Sequence, residues 1–312
     1  VQGYSPSTIP GYNSIRKNSF PGLVDMPVDN ISLQDVQKAI DDRMEEHSVK
    51  TVRNDLFFLK KVMDLSGSDV DFSKIIVAKR KRRKKIVFSN TWPSRILRYA
   101  KDNFEADFYI YCLLILFAGL RPSESYALTG ADISAKPIDV IDQGGNHYKA
   151  GQIHVSKAKV RNELAVYTEK GTKTEAGVRD VSISWSVIQQ IRDLKPDVGN
   201  GPLLKLKPAL ISHRWRKLAD AVGLPDNLRY YDLRHFFATN LAYSGASEEE
   251  IADTMGHSSS AFSHQVYIEI FQENQASVSA KMAKAADVLI GEIDPEANKA
   301  RRNIPHSETT AK

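Results

Sequence analysis

Gly119-Leu120-Arg121-Pro122-Ser123-Glu124 stands at the end of the longest apolar stretch in the chain, Phe108 to Leu120, and the reading of that junction decides the fold. Tyr109, Tyr111 and Gly119 break the apolar run, which falls short of the roughly 18 uninterrupted apolar residues that a membrane-spanning helix needs. It therefore reads as a helix, over about Asp107 to Ala118, buried inside a helical domain. An arginine followed three residues later by a glutamate is, by itself, commonly no more than an ion pair at a helix end. Its neighbours in the sequence give it more weight.

Upstream, a helix is expected over about Pro93 to Asn103. Before it, seven contiguous cations, Lys79, Arg80, Lys81, Arg82, Arg83, Lys84 and Lys85, lead toward Trp92. The 312 residues carry 43 Lys and Arg against 38 Asp and Glu, a formal net charge of +5. Without those seven residues the remainder is slightly acidic, so the basic character is one ribbon, as a polyanion-binding segment has it. Ahead of the ribbon, Ser32 and Asp35 stand in capping-box spacing before a helix with Leu33, Val36, Ile40 and Met44 on one face. A second helix is expected from about Ser48 to Leu65, with Val52, Leu56, Leu59 and Met63 inward, and Gly67 ends it.

Downstream, Ile153 to Val155, Leu164 to Tyr167 and Val178 to Ile183 alternate or cluster as short antiparallel strands do. Helices resume at about Pro208 to Val222, Tyr231 to Ser244 and Ser247 to Met255, and an amphipathic one at about Asn274 to Ile290 leads into a charged tail. The expected fold class is mainly α with a small antiparallel β-sheet. The length fits two domains: a helical domain over 1–78, a basic linker over 79–92, a larger α+β domain over 93–290 and a tail over 291–312. A single cysteine, Cys112, cannot form an intrachain disulfide, and no Cys/His cluster has zinc spacing, so neither a metal nor another cofactor is expected. Val1 to Pro10 does not resemble a secretion signal, and a cytoplasmic setting is the expectation.

Three further stretches join the first: Thr172-Lys173-Thr174 leading to Val178-Arg179, Asp232-Leu233-Arg234-His235, and Met255-Gly256-His257-Ser258, with Tyr267 ten residues after His257. In this order and with these flanking residues, the set resembles the tyrosine recombinase family of phage and transposon integrases, over nearly the whole chain. The resemblance implies a helical core-binding domain followed by an α+β catalytic domain. It also implies an enzyme that cleaves and rejoins duplex DNA at specific sites through a 3′-phosphotyrosyl intermediate, without metal or ATP, to integrate and excise a mobile element.

By that resemblance Tyr267 is the nucleophile, and Lys173 is the hairpin lysine that protonates the leaving 5′-oxygen, with Lys170 as its nearest rival. Arg121 and Arg234 hold the non-bridging oxygens of the phosphate, whose pentacoordinate state carries extra negative charge that paired guanidiniums stabilise. His257 bonds the phosphate or manages the tyrosine proton, and Glu124 supports the arginine or the histidines. Two departures stand out. Tyr231 occupies the place where the family usually has a histidine, where a phenol can donate a hydrogen bond but cannot be a cation near neutral pH. The interval from His257 to Tyr267 is also one residue longer than usual. The first departure motivates a second reading, a DNA-binding protein with the recombinase fold and weak or no catalysis.

Partners follow from the same resemblance. The ribbon Lys79 to Lys85 is expected to track phosphates, while base-reading candidates are Lys50, Arg53 and Lys60 on the second helix and Arg214 and Arg216 further on. The helix after Tyr267 is expected to dock onto a neighbouring protomer, giving a tetramer on two duplex DNA sites, with accessory DNA-bending or directionality factors possible and no membrane. An N-terminal arm-binding domain is not expected in the chain.

Overall fold

The computed structural model describes residues 8–79, 89, 91–142, 144–162, 164, 166–171, 177–196 and 199–257. In chain order its helices are α1 (Thr8–Asn18), α2 (Pro21–Val24), α3 (Leu33–Glu46), α4 (Val49–Leu65), α5 (Trp92–Asn103), α6 (Ala106–Ala118) and α7 (Pro122–Ser125). The strands β1 (Ile138–Ile141), β2 (His147–Val155), β3 (Lys157–Arg161), β4 (Tyr167–Gly171) and β5 (Arg179–Ser184) follow, and then α8 (Trp185–Leu194), α9 (Pro208–Ala221), α10 (Asp232–Tyr243) and α11 (Glu248–Met255). The fold is mainly α with small antiparallel sheets, as the sequence leads one to expect. Among the described residues, no helix is long and apolar enough to cross a membrane.

The chain divides into two compact units. One runs to Trp92 and takes in Lys157–Gly171 and Pro225–Leu228; the other holds Pro93–Ser156, Thr172–Leu224 and the chain from Arg229. In the first unit the Ser32 hydroxyl accepts from the Asp35 amide at 3.2 Å while the Asp35 carboxylate accepts from the Ser32 amide at 2.9 Å, a reciprocal cap worth about 1 kcal/mol. That cap starts α3 in the phase that buries Val36 and Ile40 against Val52, Leu59 and Met63 of α4. One charge enters this core: Asp55 is buried, and Arg43 closes on it at 2.6 Å. The β3–β4 hairpin belongs to the same unit, with Lys157 opposite Gly171 and Arg161 opposite Tyr167.

The second unit is built on α6, whose residues Phe108 to Leu116 are all buried. A helix apolar on every face can only sit in an interior, with other elements on all sides. Its end is set by Gly119, which caps it in the left-handed region at φ 58°. A Cβ there would stand 2.2 Å from the Phe237 ring of α10, so both the conformation and the close approach require glycine. The three-stranded sheet has order β1-β2-β5, with Ile153 opposite Val181 and Val155 opposite Arg179.

One sequence expectation needs correction, and three elements lie beyond those expected. Leu164 and Val166 lie in the turn before β4 and not in a strand, because the Asn162 carboxamide oxygen accepts from both their amides, at 3.0 and 2.9 Å, and this side-chain turn outcompetes ladder pairing. Strands β1 and β3 lie outside the expected strands: every residue of β1 is exposed, and β3 alternates Lys157, Lys159 and Arg161 with only Ala158 and Val160, a pattern too short and too weakly apolar to announce a strand. Helix α8 was also not foreseen, although Val187, Ile188 and Ile191 bury one face of it. The expected helix at 274–290 and the tail lie outside the described residues.

Candidate active site

The Gly119 turn delivers the chain into Arg121, and Pro122 then starts α7 with its ring at the first helical position. Glu124, three residues on, reaches back so that its Oε2 accepts from the Arg121 amide at 2.8 Å, while Oε1 accepts from Arg121 Nη1 at 2.6 Å. Glu124 is buried at 2% exposure, so it is an internal anion and not a surface glutamate.

Arg234 enters from α10, which Asp232 anchors by accepting from the Arg229 amide at 2.8 Å. Arg234 is 2% exposed and ties two helix ends together. Its Nη1 donates to the Gly119 carbonyl at the end of α6, and its Nη2 donates to the Met255 carbonyl at the end of α11 at 2.5 Å. Helix α11 begins in a capping box between Ser247 and Glu250 and ends at Gly256 in the left-handed region, φ 64°. The His257 amide then donates back to the Ala252 carbonyl at 2.9 Å, which fixes the ring just past the helix end.

Three successive carbonyls at that end each accept from a different arginine. Thr254 takes Arg179 Nε at 2.8 Å, Met255 takes Arg234, and Gly256 takes Arg121 Nη2 at 2.6 Å. Carbonyls left over at a helix C-terminus carry partial negative charge, and guanidiniums satisfy and neutralise them. Arg179, at the start of β5, also forks onto Glu124, with Nη1 to Oε1 at 3.2 Å and Nη2 to Oε2 at 3.0 Å. In the sequence Arg179 is visible only as the residue closing the stretch after Lys173; its place, opening a strand after a motif lysine, is the available signal.

Three guanidiniums thus surround one carboxylate, with Arg234 Nη1 4.0 Å from Glu124 Oε2. Burial raises the Glu124 pKa, but the Arg179 fork and then Arg121 outweigh it and hold the carboxyl below its ordinary range. Burial first and Arg121 next lower Arg234 to about 10, so it remains a cation at neutral pH. His257 Nε2 lies 3.1 Å from Arg234 Nη2. Burial, then Arg234, Arg121, Arg179 and His235, push its pKa down to about 4, so near pH 7 the ring is neutral, with Nε2 placed to accept from Arg234. The cluster keeps two unbalanced positive charges, and Arg121 remains a third exposed. Chemically it is a seat for an anion.

Tyr231 stands just before α10, 39% exposed, with its ring edge-on to His235 at 6.0 Å. Lys173, Tyr267 and Arg80 to Lys85 lie outside the described residues. Lys79, Lys50, Arg53 and Lys60 are exposed in the first unit, where Arg53 donates to the Ala78 carbonyl at 3.3 Å and Lys60 pairs with Asp64 at 2.7 Å. On α9, Arg216 is exposed, whereas Arg214 is held by Glu105 at 3.2 Å and lies over the Phe104 ring.

The sequence profile of the phage integrase family matches residues 93–274, which include every one of the four stretches above and Tyr267. The chain belongs to the phage integrase family. Among relatives of this chain, a putative prophage phiRv2 integrase of Mycobacterium tuberculosis is 32% identical over 152 residues, 43% of this chain and 40% of the relative. Tyrosine recombinase XerC of Agrobacterium fabrum is 44% identical over 55 residues, 18% of each chain. The matches therefore span well under half the length of these curated relatives. Among solved structures, the Tn1549 transposon integrase in complex with a circular intermediate DNA shares the fold at TM-score 0.66 and 21% identity, covering 85% of this chain and 90% of that one. A lambda integrase dimer bound to a COC′ core site does so at TM-score 0.58 and 15% identity, covering 85% and 73%.

Proposed function

We propose that this integrase-family chain is a tyrosine-type site-specific DNA recombinase that cleaves and rejoins duplex DNA. The observation that carries the reading is the three-arginine cluster with its unbalanced charge, partly open to solvent at Arg121 and flanked by a neutral histidine. A phosphodiester is the anion such a seat suits. Arg121 and Arg234 would hold its non-bridging oxygens where charge grows in the pentacoordinate state. Neutral His257 can accept or relay a proton, Tyr267 attacks phosphorus to give a 3′-phosphotyrosyl link, and Lys173 protonates the departing 5′-oxygen. The bond energy stays in the ester, so religation needs no ATP.

Integration and excision of a mobile element is the matching biological role, since a similar protein is named as a prophage integrase and a similar fold as a transposon integrase. Duplex DNA is the partner, with the domains proposed as 1–78, 79–92 and 93–290, and a tetramer on two sites formed through the helix after Tyr267. A lambda integrase of similar fold is described as a tetramer on a Holliday junction. The test is a nicked suicide substrate carrying the attachment site. Wild type should form a covalent protein–DNA adduct and Tyr267→Phe should form none while still binding DNA. An adduct from the Phe variant would reassign the nucleophile, and no adduct from wild type would leave the binding-only reading.

A further inference from the structure

We propose that Arg179 is a positioning residue of this site: it keeps the Glu124 carboxylate from closing on Arg121 and pins the end of α11 beside Arg234, so that Arg121 stays available to a phosphate. The proposal rests on the recombinase reading above. Its ground is the way Glu124 is divided. Arg179 occupies both carboxylate oxygens, at 3.2 and 3.0 Å, while the Arg121 side chain has a single bond to Oε1 at 2.6 Å. The Arg179 side chain is 7% exposed and the Arg121 side chain 33%, so the sealed fork is with Arg179 and the open guanidinium is Arg121. A planar guanidinium matches a carboxylate in two parallel bonds, and a lysine cannot reproduce that fork.

The other donors of Arg179 fix its surroundings. Nε bonds the Thr254 carbonyl at 2.8 Å, one residue before the carbonyl that Arg234 holds, and Nη1 bonds the Gly177 carbonyl at 3.2 Å. Gly177 follows residues 172–176, the segment that contains Lys173, and the Arg179 side chain bonds the chain at that point, four residues after the lysine. Without Arg179, Glu124 is free to take Arg121 bidentately, and the excess charge of the cluster falls from two to one. With both Arg179 and Glu124 neutralised, the excess returns to two.

The experiment compares Arg179→Gln, Arg179→Lys and the double variant Glu124→Gln/Arg179→Gln in single-turnover cleavage of the suicide substrate, with duplex affinity, thermal unfolding and NMR titration of the His257 ring measured on the same proteins. Arg179→Gln should slow cleavage roughly 10- to 100-fold, the loss typical when a partner that orients a ligating side chain is removed, with duplex affinity nearly unchanged. Arg179→Lys should fall between it and wild type; it also carries the test if the Gln variant does not fold. The double variant should recover at least about tenfold over Arg179→Gln, a non-additivity expected only of coupled neighbours.

The groups facing His257 are Arg234 and His235 of α10, Arg121 before α7 and Arg179 of β5. Removing one cation should therefore raise the ring's titration point in Arg179→Gln, and the double variant should lower it again. Wild-type cleavage by folded Arg179→Gln, or a double variant no faster than the single, would overturn the proposal. If wild type forms no adduct, the recombinase reading fails by itself, and an unshifted His257 titration in Arg179→Gln would separately refute the placement of Arg179.

Discussion

Lowering the pH from 7.5 to 4 should cost the fold about 1.5 kcal/mol through His257 alone. Burial first, and then Arg234, Arg121, Arg179 and His235, bring its pKa from 6.5 to about 4. Above pH 6.5 the ring is neutral in both folded and unfolded chains, and its full contribution is present. Between 6.5 and about 4 the unfolded chain binds a proton that the folded site refuses, so stability falls as the pH falls, and below that the loss is complete. A tenfold weakening of proton affinity corresponds to about 1.4 kcal/mol, which caps the effect at about 3 kcal/mol. The ring is partly exposed, and solvent screening reduces that to roughly half. The assay is urea unfolding across pH 4 to 7.5 for wild type and His257→Gln. Glutamine keeps an acceptor for Arg234 but cannot titrate, and every other acid is common to both proteins. The stability difference between them should therefore change by about 1.5 kcal/mol across the window, in the direction that favours the variant at low pH. Parallel curves would refute the inference that the arginine cluster holds the histidine neutral.

Arg234→Ala should slow adduct formation by roughly two to three orders of magnitude, as loss of one transition-state donor does, and near-normal cleavage would remove it from the site. Tyr231 is exposed, so Tyr231→Phe should fold normally and, if the hydroxyl donates in the transition state, cleave about 2- to 13-fold more slowly, with Tyr231→His retaining activity; wild-type rates in Phe with loss in His would eliminate the donor role. Replacing Lys79 to Lys85 by alternating Ser and Gln should weaken specific and random duplexes alike and flatten the salt dependence of log affinity by about 0.9 for every phosphate no longer neutralised; an unchanged slope would show an unengaged linker.

The elements legible in the sequence were those whose signal is local. Ser32 with Asp35, and Ser247 with Glu250, announce helix starts, and both capping boxes are formed. The apolar run ending at Gly119 announces a buried helix, and α6 is buried on every face. What stayed hidden depends on partners distant in the chain. The exposed strand β1 has no alternation because no face of it is buried; it exists through its pairing with β2. The Asn162 turn looked like strand because Leu164 and Val166 are apolar, and only the side-chain bonds from Asn162 overrule that composition.

The same distinction governs the site. Arg121, Arg234 and His257 stand in motifs that imply a role for them, whereas Arg179 stands in a quoted stretch with no role implied, because its partners Glu124 and Thr254 lie 55 and 75 residues away. Once all three arginines are placed, the end of α11 explains how they can cluster. The carbonyls of Thr254, Met255 and Gly256 supply partial negative charge and Glu124 a full one, which together hold like-charged guanidiniums in one small volume. Each guanidinium has five N–H donors; Arg121 uses two on the protein, and Arg234 uses three. The donors left on Arg121, whose side chain is one-third exposed, can meet phosphate oxygens without breaking the bonds that hold α6 and α11. A phosphate would thus enter a scaffold already tied together by its own ligands, which is the preorganisation that lets fixed donors stabilise charge as it develops and not merely bind it beforehand.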